Sequence, residues 1–456
     1  MGTELKEGDS AAAAAARLYT YRIAAVAALG GLLFGFDTAI INGAIVFLKR
    51  QFAWTEVQTE VAASSLLLGC VLGASLAGAL SDWLGRRRLL LAAAALFGLS
   101  SLATAIPHTL AQFCAARIAA GLAIGVASML CPLYIAEISP AAIRGRLVSL
   151  NQLAIVSGIL ISYLIGWSLS GIGPDSWRWM FASAAAPSVL FFAALFFVPE
   201  SPRWLVKEAR RNEALQVLAD VGEAQPAERA DEIEAAIALE TGRFSDLLQP
   251  RMRRLLWIGI TLAVLQQVTG INTIIYYGSI IFTEHAGARS AAAALWANVI
   301  IGSTNLVCTI AALFLIDTLG RKSLLMIASA GMGVSLAALG ILMRADPSAT
   351  TPILILILCY VAFFSTGMGP GVWVVLSEIF PTSIRGRAMS IATISLWIAC
   401  MLITLTFLSL AKAISISGAF WVYGVMCAAT LVFLHKFTVE TKGKTLEQIE
   451  KEWSGK

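Results

Sequence analysis

Two segments of this chain repeat one another at a separation of about half its length. Glu137-Ile-Ser-Pro-Ala-Ala-Ile-Arg-Gly-Arg146 recurs 241 residues later as Glu378-Ile-Phe-Pro-Thr-Ser-Ile-Arg-Gly-Arg387. A second pair, Asp82-Trp-Leu-Gly-Arg-Arg87 and Asp317-Thr-Leu-Gly-Arg-Lys322, is separated by 235 residues. Two repeats in nearly the same register predict an internal duplication, in which each half of the chain folds as one structural unit.

The composition places both halves in a lipid bilayer. Hydrophobic residues make up 58% of the chain and charged residues 13%, and the mean hydropathy is +0.79, whereas a soluble domain has about 25% charged residues. The net charge of +5 arises from short loops between apolar segments, so we expect no nucleic-acid partner. A duplicated chain with many membrane spans favours a transporter, in which two repeats move about a site at their interface.

Twelve apolar segments, each of roughly the 20 residues that cross 30 Å of hydrocarbon, predict an all-α membrane protein of two six-helix bundles. The first six are predicted near 22–47, 61–81, 89–107, 110–133, 148–170 and 178–198, and the last six near 255–283, 291–316, 323–343, 351–376, 388–411 and 418–437. Residues 1–20 and 439–456 are predicted to be tails, the first of them disordered. The bundles are assigned to 21–199 and 255–438, and the polar segment 200–254 is predicted to form short amphipathic helices between them.

The loop charges predict the orientation. Twelve crossings return the chain to its starting side, and most loop arginines and lysines lie on that side. By the positive-inside rule this side is cytoplasmic, so we expect a protein of the cytoplasmic membrane with both termini in the cytoplasm. The bases that carry this prediction are Arg86, Arg87, Arg88, Arg144, Arg146, Arg321, Lys322, Arg385, Arg387, Lys436, Lys442 and Lys444.

Two charged residues fall in the interior of predicted spans of the first half, away from the span ends. Asp37 lies in the first span and Arg117 in the fourth. An ionised carboxylate near the middle of a membrane costs on the order of 2.5–3.5 kcal/mol by insertion scales, so Asp37 needs a compensating partner, and Arg117 is the candidate. A pair that separates in one conformation would let Asp37 bind and release a proton; the alternative is a permanent structural ion pair.

Uncharged amides and aromatic rings form a second set inside the spans. Amides that both donate and accept hydrogen bonds suit a ligand made of hydroxyl groups, and aromatic faces suit a ring. The pattern therefore predicts an uncharged, polyhydroxylated solute, although pairing between helices would explain any one amide alone. The amides are Asn151, Gln152, Gln266, Gln267, Asn272 and Asn305, and the rings are Phe34, Tyr276, Tyr277 and Trp373.

Glycine and proline interrupt two of the later spans. Gly270 and the cluster Gly367-Met-Gly-Pro-Gly371 are expected to loosen their helices and free backbone groups, and discontinuous helices often border the substrate site of a repeat transporter.

The repeated loop segments predict ion pairs at one end of the helices. We expect these pairs to act as a conformational lock that holds the halves together when the opposite side is open. Exposed pairs alone are worth only about 0–1 kcal/mol, so a lock needs a network. The acids are Asp82, Glu137 and Glu378, and the bases are Arg86, Arg144, Arg321 and Arg385.

These motifs resemble those of the sugar porter branch of the major facilitator superfamily, from about Arg22 to Leu446. The resemblance rests on the Gly-Arg-Arg loop and its echo, the repeated Glu-Arg segments, Pro199-Glu-Ser-Pro-Arg-Trp204, Gln266-Gln-Val-Thr-Gly-Ile-Asn272 and Glu440-Thr-Lys-Gly-Lys444. It implies twelve helices, alternating access and a monosaccharide substrate, and is strongest to bacterial proton-coupled xylose and glucose porters.

The resemblance also implies roles for particular residues. Asp37 falls at the proton-coupling carboxylate and Arg117 at its partner, whereas mammalian facilitative transporters carry an asparagine in place of the acid. Leu396 stands where many members have an amide that can contact the sugar, and Val439 replaces a usual proline. Sugar-contacting positions are Gln152, Gln266, Gln267, Asn272, Asn305, Gly369 and Trp373, with Phe34 and Tyr276 beside them.

The sequence therefore predicts a monosaccharide:proton symporter that works as a monomer, with the proton as coupling ion and no other cofactor. The alternatives are a sugar uniporter in which Asp37 and Arg117 stay paired, and a sugar sensor that does not transport. An enzyme is not expected, because the chain has three histidines and neither an H-E-x-x-H nor a G-x-S-x-G motif.

Overall fold

The computed structural model describes residues 2–140, 143–239, 249–288, 290–380 and 385–440, and all regular secondary structure in these ranges is helical. The first half contains seven α-helices, because its sixth crossing is divided into α6, α7 and a 3₁₀ turn at Leu195–Phe197. They are α1 (Gly2–Gln51), α2 (Glu56–Leu84), α3 (Arg86–Thr104), α4 (Leu110–Ile138), α5 (Arg144–Leu169), α6 (Ser176–Ser183) and α7 (Ala185–Ala194).

Three short helices follow, as the alternation of charged and apolar residues after Glu200 predicts. They are α8 (Pro202–Lys207), α9 (Arg211–Asp220) and α10 (Pro226–Leu239). The N-terminus of α8 is capped, because the side chain of Ser201 accepts a hydrogen bond from the backbone N–H of Trp204. Proline occupies the first turn, where its missing N–H group has no cost.

The second half again contains seven α-helices in the described residues. Two of its crossings are interrupted, one by Gly270 and one by a π-helical turn at Phe364–Met368. Both breaks fall where the sequence predicts loosened helices. The helices are α11 (Pro250–Val268), α12 (Ile271–Ile280), α13 (Ala291–Leu319), α14 (Arg321–Ala345), α15 (Thr350–Phe363), α16 (Gly369–Ile379) and α17 (Arg385–Phe437).

Twelve membrane crossings result. Eleven continuous helical segments in the described part of the chain are long and apolar enough to cross a membrane. The last of them, Gly386–Phe437, has 52 residues and would be about 78 Å long at 1.5 Å per residue, over twice the hydrocarbon thickness. It breaks at Ser415, whose φ of 71° and ψ of 161° are not helical, so it crosses twice. The predicted all-α fold with six spans in each half is confirmed.

The start of the chain differs from the prediction of a disordered tail. In the structure α1 begins at Gly2. The run Ala11–Ala16 explains the difference, because alanine has the highest intrinsic helix propensity and the run continues directly into the first crossing.

An even number of crossings puts the two ends of the chain on one side of the membrane, which we call the terminal side; the other is the distal side. The two bundles meet along three pairs of helices: α1 with α12, α2 with α17, and α5 with α13. Each pair combines one helix of the first half with one of the second. The interface between the duplicated halves therefore runs through the centre of the molecule.

Close packing within the first bundle depends on small residues. Gly69 and Gly121 face each other where α2 meets α4. A Cβ atom on Gly121 would lie 1.9 Å from the carbonyl oxygen of Leu66, and one on Gly69 would lie 2.2 Å from that of Ile118. Real Cβ atoms do not approach backbone this closely, so these helices pack at a distance that only glycine allows.

Gly121→Ala should therefore destabilise the fold, whereas Gly78→Ala should not. Gly78 lies on α2 with nothing within 4 Å of an added Cβ atom, so alanine there has only its favourable helix propensity. Overpacking at Gly121 is expected to cost about 1–3 kcal/mol. Thermal unfolding of the purified variants in detergent checks this. Equal melting temperatures for the two variants would contradict the packing argument.

Candidate transport site

The charge pair predicted inside the first bundle is formed. Nη1 of Arg117 on α4 donates to both carboxylate oxygens of Asp37 on α1, at 2.7 and 2.8 Å. The side chains are 0% and 1% exposed, and the guanidinium lies 5.2 Å from the centre of the Phe181 ring. In this conformation Asp37 is thus compensated by a cation in direct contact.

The compensation of Arg117 itself is incomplete. Its Nε and Nη2 atoms are buried and have no hydrogen-bond partner in the described part of the protein. A guanidinium has five N–H donors, and a buried donor without a partner costs about 1–3 kcal/mol, more when it is charged. The pair is therefore held by one nitrogen of Arg117 while the rest of its donors go unused.

Three of the predicted amides form a continuous chain in the second bundle. Gln266 donates through Nε2 to the carbonyl oxygens of Met368 and Gly369, at 2.8 and 3.0 Å. Gln267 donates to Oε1 of Gln266 at 3.1 Å, and Asn272 donates to Oε1 of Gln267. All three amide side chains are at least nine-tenths buried, so the hydrogen bonds replace water that the amides lost on folding.

The helix break at Gly270 makes this chain possible. Gly270 has a φ of 94°, a left-handed conformation that glycine adopts without strain, and it separates α11 from α12. Gln267 and Asn272 flank the break, and their side chains meet although they lie five residues apart. In an unbroken helix that spacing would turn the side chains about 140° away from each other.

The remaining residues that were predicted to contact the ligand differ in whether their polar atoms have hydrogen-bond partners. Asn305 on α13 accepts a hydrogen bond from Ser365 at 2.8 Å. Asn151 on α5 is buried, and its Oδ1 has no partner within the described residues. The neighbouring Gln152 is half-buried, as is Trp373 on α16. The first bundle therefore contributes an unsatisfied amide.

Aromatic rings bring the two bundles together near these amides. Phe34 on α1 lies edge-on to Trp397 on α17, with ring centroids 5.2 Å apart. Trp397 is 5% exposed, and its Nε1 has no described partner. Tyr276 and Leu396 are also buried. Trp397 was missed as a site residue by the sequence analysis, in which its neighbour Leu396 drew attention; a tryptophan next to a position expected to contact the ligand was the available signal.

Hydrogen bonds join the bundles on the distal side. Asn42 on α1 donates to the carbonyl oxygen of Ile275 at 2.8 Å and to Oδ1 of Asn298 at 3.2 Å, and accepts from the backbone N–H of Ser279 at 2.8 Å. Further hydrogen bonds between the two bundles lie toward the same side, among them those that join Asn42 to Ile274, Tyr163 to Ile275 and Glu60 to Ser409. The distal end of the central interface is closed.

A buried carboxylate takes part in this closure. Glu60 on α2 is 1% exposed and accepts from the backbone N–H and the hydroxyl of Ser409 on α17, at 2.7 and 2.6 Å. Lys49 and Glu284 add an ion pair of 2.9 Å between the bundles nearby. Sequence analysis missed Glu60, because an acid in the first turns of a helix is usually solvated and stabilised by the helix dipole.

The repeated loop segments form the same ion pair in both halves. Arg86 donates to both oxygens of Glu137 at 3.0 Å and to Asp82 at 3.2 Å. In the second half Arg321 lies 3.4 Å from Glu378. Each pair lies within one half in this conformation. That the pairs hold the halves together in another conformation stays a prediction.

Two predicted members of this network form none of the described ion pairs. Arg144 donates to the carbonyl oxygen of Ser139, at 3.4 Å, and has no described ion pair. It is thus not the partner of Glu137 here, because Arg86 already occupies both carboxylate oxygens. The side chain of Arg385 lies outside the described residues.

Two further acids complete the network, and sequence analysis assigned them only to motifs. Glu200 accepts from the backbone N–H groups of Arg86 and Arg87 at the start of α3, at 2.9 and 3.1 Å. Glu440 does the same for Arg321 and Lys322 at the start of α14, at 2.8 and 3.1 Å. A carboxylate at a helix N-terminus meets unsatisfied N–H groups and the positive end of the dipole. The motif that contains each glutamate was the available signal, because both motifs lie on the segment that directly follows a bundle.

Comparison with known proteins agrees with this architecture. The family model described as sugar (and other) transporter matches residues 23–453. The chain is 40% identical to a glucose transport protein of Synechocystis sp., over 94% of this chain and 96% of that protein. It is 39% identical to an arabinose-proton symporter of Bacillus subtilis, over 94% of each. Its fold matches a partially occluded inward-open conformation of the xylose transporter of E. coli, with a TM-score of 0.83 and 34% identity, over 94% of this chain and 99% of that chain.

Twelve membrane crossings in two duplicated bundles, with a buried charge pair and a chain of amides, define a transporter of the major facilitator superfamily. Within that class the chain belongs to the sugar transporter family. These relatives confirm that the protein is a multi-pass membrane transporter and not an enzyme.

The two copies of the loop ion pair should differ in energetic importance. The Arg86 and Glu137 side chains are both 6% exposed, whereas those of Arg321 and Glu378 are 17% and 22% exposed. Removing one partner of a buried pair costs about 3–5 kcal/mol, so Arg86→Gln should lower the melting temperature more than Arg321→Gln. Thermal unfolding in detergent measures both. A larger loss for Arg321→Gln would contradict this ranking.

Proposed function

We propose that this protein is a proton-coupled monosaccharide symporter that imports sugar by alternating access. The arabinose-proton symporter of B. subtilis and the D-xylose-proton symporter of E. coli, 39% and 37% identical to this chain, support proton coupling. The amide chain and aromatic rings support a neutral polyhydroxylated substrate. The proton is the only coupling ion in this proposal, and no metal or organic cofactor takes part.

The observation that carries the proposal is the unequal compensation within the Asp37–Arg117 pair. Asp37 receives hydrogen bonds at both oxygens from a single nitrogen, while two other buried nitrogens of Arg117 have no described partner. A small movement of Arg117 toward other acceptors would leave Asp37 buried without a cation. A carboxyl group in that position favours the protonated form.

Helix α1 links this pair to the substrate region. Phe34 and Asp37 lie three residues apart and therefore on the same face of α1. Phe34 contacts Trp397 of the second bundle, and Asp37 contacts Arg117 of the first. A sugar that moves the aromatic rings would displace the same helix turn that carries the proton-binding carboxylate.

The terminal side is cytoplasmic in this proposal, because the basic loops at Arg86–Arg88 and Arg144–Arg146 lie there. The hydrogen bonds of Asn42 and Glu60 close the opposite side, which supports a conformation without access from outside the cell. The complete site lies within one chain, which supports a functional monomer.

A sugar uniporter is the second candidate, and one observation favours it. The Asp37–Arg117 pair is bidentate and fully buried, as a permanent structural ion pair would be. A sensor without transport is a third candidate. Flux and its dependence on a proton gradient separate the three.

Asp37→Asn should abolish accumulation while retaining exchange. In proteoliposomes with glucose, xylose or arabinose, an inward gradient of about one pH unit supports about tenfold accumulation for one proton per sugar. The asparagine keeps the shape of the side chain but cannot cycle a proton. Sugar counterflow, which needs no net proton movement, should persist.

Asp175→Asn is the matched control, because Asp175 is 61% exposed and its described partners are Arg178 on α6 and Gln51 at the distal end of α1, both outside the site. It should accumulate sugar like the wild type. Equal, non-accumulating uptake by the wild type and Asp37→Asn would establish the uniporter, and binding without flux would establish the sensor.

Gln267→Ala should remove sugar binding. Gln267 is the middle member of the amide chain, so its loss leaves Oε1 of Gln266 and one N–H group of Asn272 without a described partner. We expect the Kd to rise at least about tenfold, as loss of more than one hydrogen bond implies. Calorimetric titration with the same sugars measures it, with Gln216→Ala on the exposed face of α9 as control. Unchanged binding by Gln267→Ala would show that the site lies elsewhere.

A further inference from the structure

The amide chain has a direction that is set at one end. Gln266 donates to the carbonyl oxygens of Met368 and Gly369. Backbone carbonyls only accept hydrogen bonds, so Gln266 must turn its nitrogen toward them and its oxygen toward Gln267. Gln267 then donates to Gln266 and accepts from Asn272. The start of α16 thereby fixes the orientation of all three amides.

At the Asn272 end of the amide chain the N–H donors are engaged and a hydrogen-bond acceptor is left. Nδ2 of Asn272 donates to Gln267 and also to the Sγ atom of Cys400, at 3.1 Å. Both N–H groups of Asn272 are then engaged. Its Oδ1 accepts no hydrogen bond in the described part of the protein. The end of the chain nearest α17 therefore presents a carbonyl oxygen.

Cys400 fixes the plane of this amide. The two N–H groups of an amide point in different directions, so two acceptors hold its plane, whereas one acceptor leaves it free to rotate. Cys400 is 3% exposed and lies three residues after Trp397, on the same face of α17. The buried Nε1 of Trp397 has no described partner, which is an independent indication that a ligand with an acceptor binds beside it.

We propose that Cys400 is a positioning residue for substrate recognition, which aims the carbonyl oxygen of Asn272 at a hydroxyl group of the sugar. This inference rests on the proposed function. It specifies the chemistry of one contact: the sugar donates a hydrogen bond there. A substrate with an acceptor-only group at that position, such as fluorine or a carboxylate, would bind weakly.

Affinity and transport of cysteine variants test the role of Cys400. Cys400→Ala should raise the Kd for the sugar that the wild type binds best by roughly 3- to 10-fold. It should raise KM in counterflow by a similar factor with little change in the maximal rate, because it weakens ground-state binding. Cys400→Ser should restore most of the affinity, since a hydroxyl also accepts a hydrogen bond.

Cys427→Ala is the matched control, because Cys427 is equally buried on α17 and has no described hydrogen bond. Its Kd and KM should equal those of the wild type. Melting temperatures of the three variants separate a binding defect from a folding defect. Wild-type Kd in a folded Cys400→Ala would overturn the inference, as would failure of serine to improve on alanine.

Analogues of the same sugar test the direction of the contact. Titration with each deoxy and each fluoro derivative should find one hydroxyl at which both replacements weaken binding equally in the wild type, because fluorine cannot donate. At that position the penalty should shrink in Cys400→Ala. Fluoro derivatives that bind like the parent at every position would overturn the inference. If the wild type binds no monosaccharide, the proposed function fails and the inference fails with it.

Discussion

The pairing of Asp37 with Arg117 is the constraint on which the rest of the first bundle depends. Two side chains that are 1% and 0% exposed compensate each other's charge in direct contact, because neither reaches water and an unpaired buried charge is strongly destabilising. Helices α1 and α4 must therefore hold a fixed distance. Gly69 and Gly121 hold α4 in place on its other neighbour, because α4 packs against α2 at a separation that leaves no room for a Cβ atom. A buried ion pair with unused donors is weak evidence for stability, so in the proposed mechanism the pair contributes to transport more than to the strength of the fold.

The two duplicated halves contribute different groups to the site. The first bundle holds the charges, the second holds the amide chain, and Phe34 meets Trp397 across the interface. Each half carries its own loop ion pair and its own helix-capping glutamate, Glu200 or Glu440, so these contacts stabilise each half separately. On the distal side, Asn42 and Glu60 join the halves through directional hydrogen bonds to backbone and hydroxyl groups. Such contacts either form or break, which suits an interface with two discrete arrangements.

Much of the fold and part of the site could be predicted from the sequence, for identifiable reasons. Spans follow from apolar length, and the pairing of Asp37 with Arg117 follows because few charges lie within the spans of the first half. The amides Gln266, Gln267 and Asn272 were predicted as a group, but their direction was not, since it depends on carbonyl groups of Met368 and Gly369 about 100 residues later. The contact of Cys400 with Asn272 spans 128 residues, so no local sequence pattern indicates it. Glu60 was missed because its partner, Ser409, lies 349 residues away, and no local pattern reports such a contact.

The most direct test of proton-coupled sugar transport is the electrical response of the reconstituted wild type to a sugar jump on a solid-supported membrane, at equal pH on both sides. A neutral sugar carries no charge, so any steady inward current measures protons that move with it. Proton symport predicts a positive inward current that scales with the flux of radiolabelled sugar at a ratio of about one charge per molecule. Sugar flux of normal magnitude without current would contradict it, and would make Asp37–Arg117 a structural pair in a uniporter.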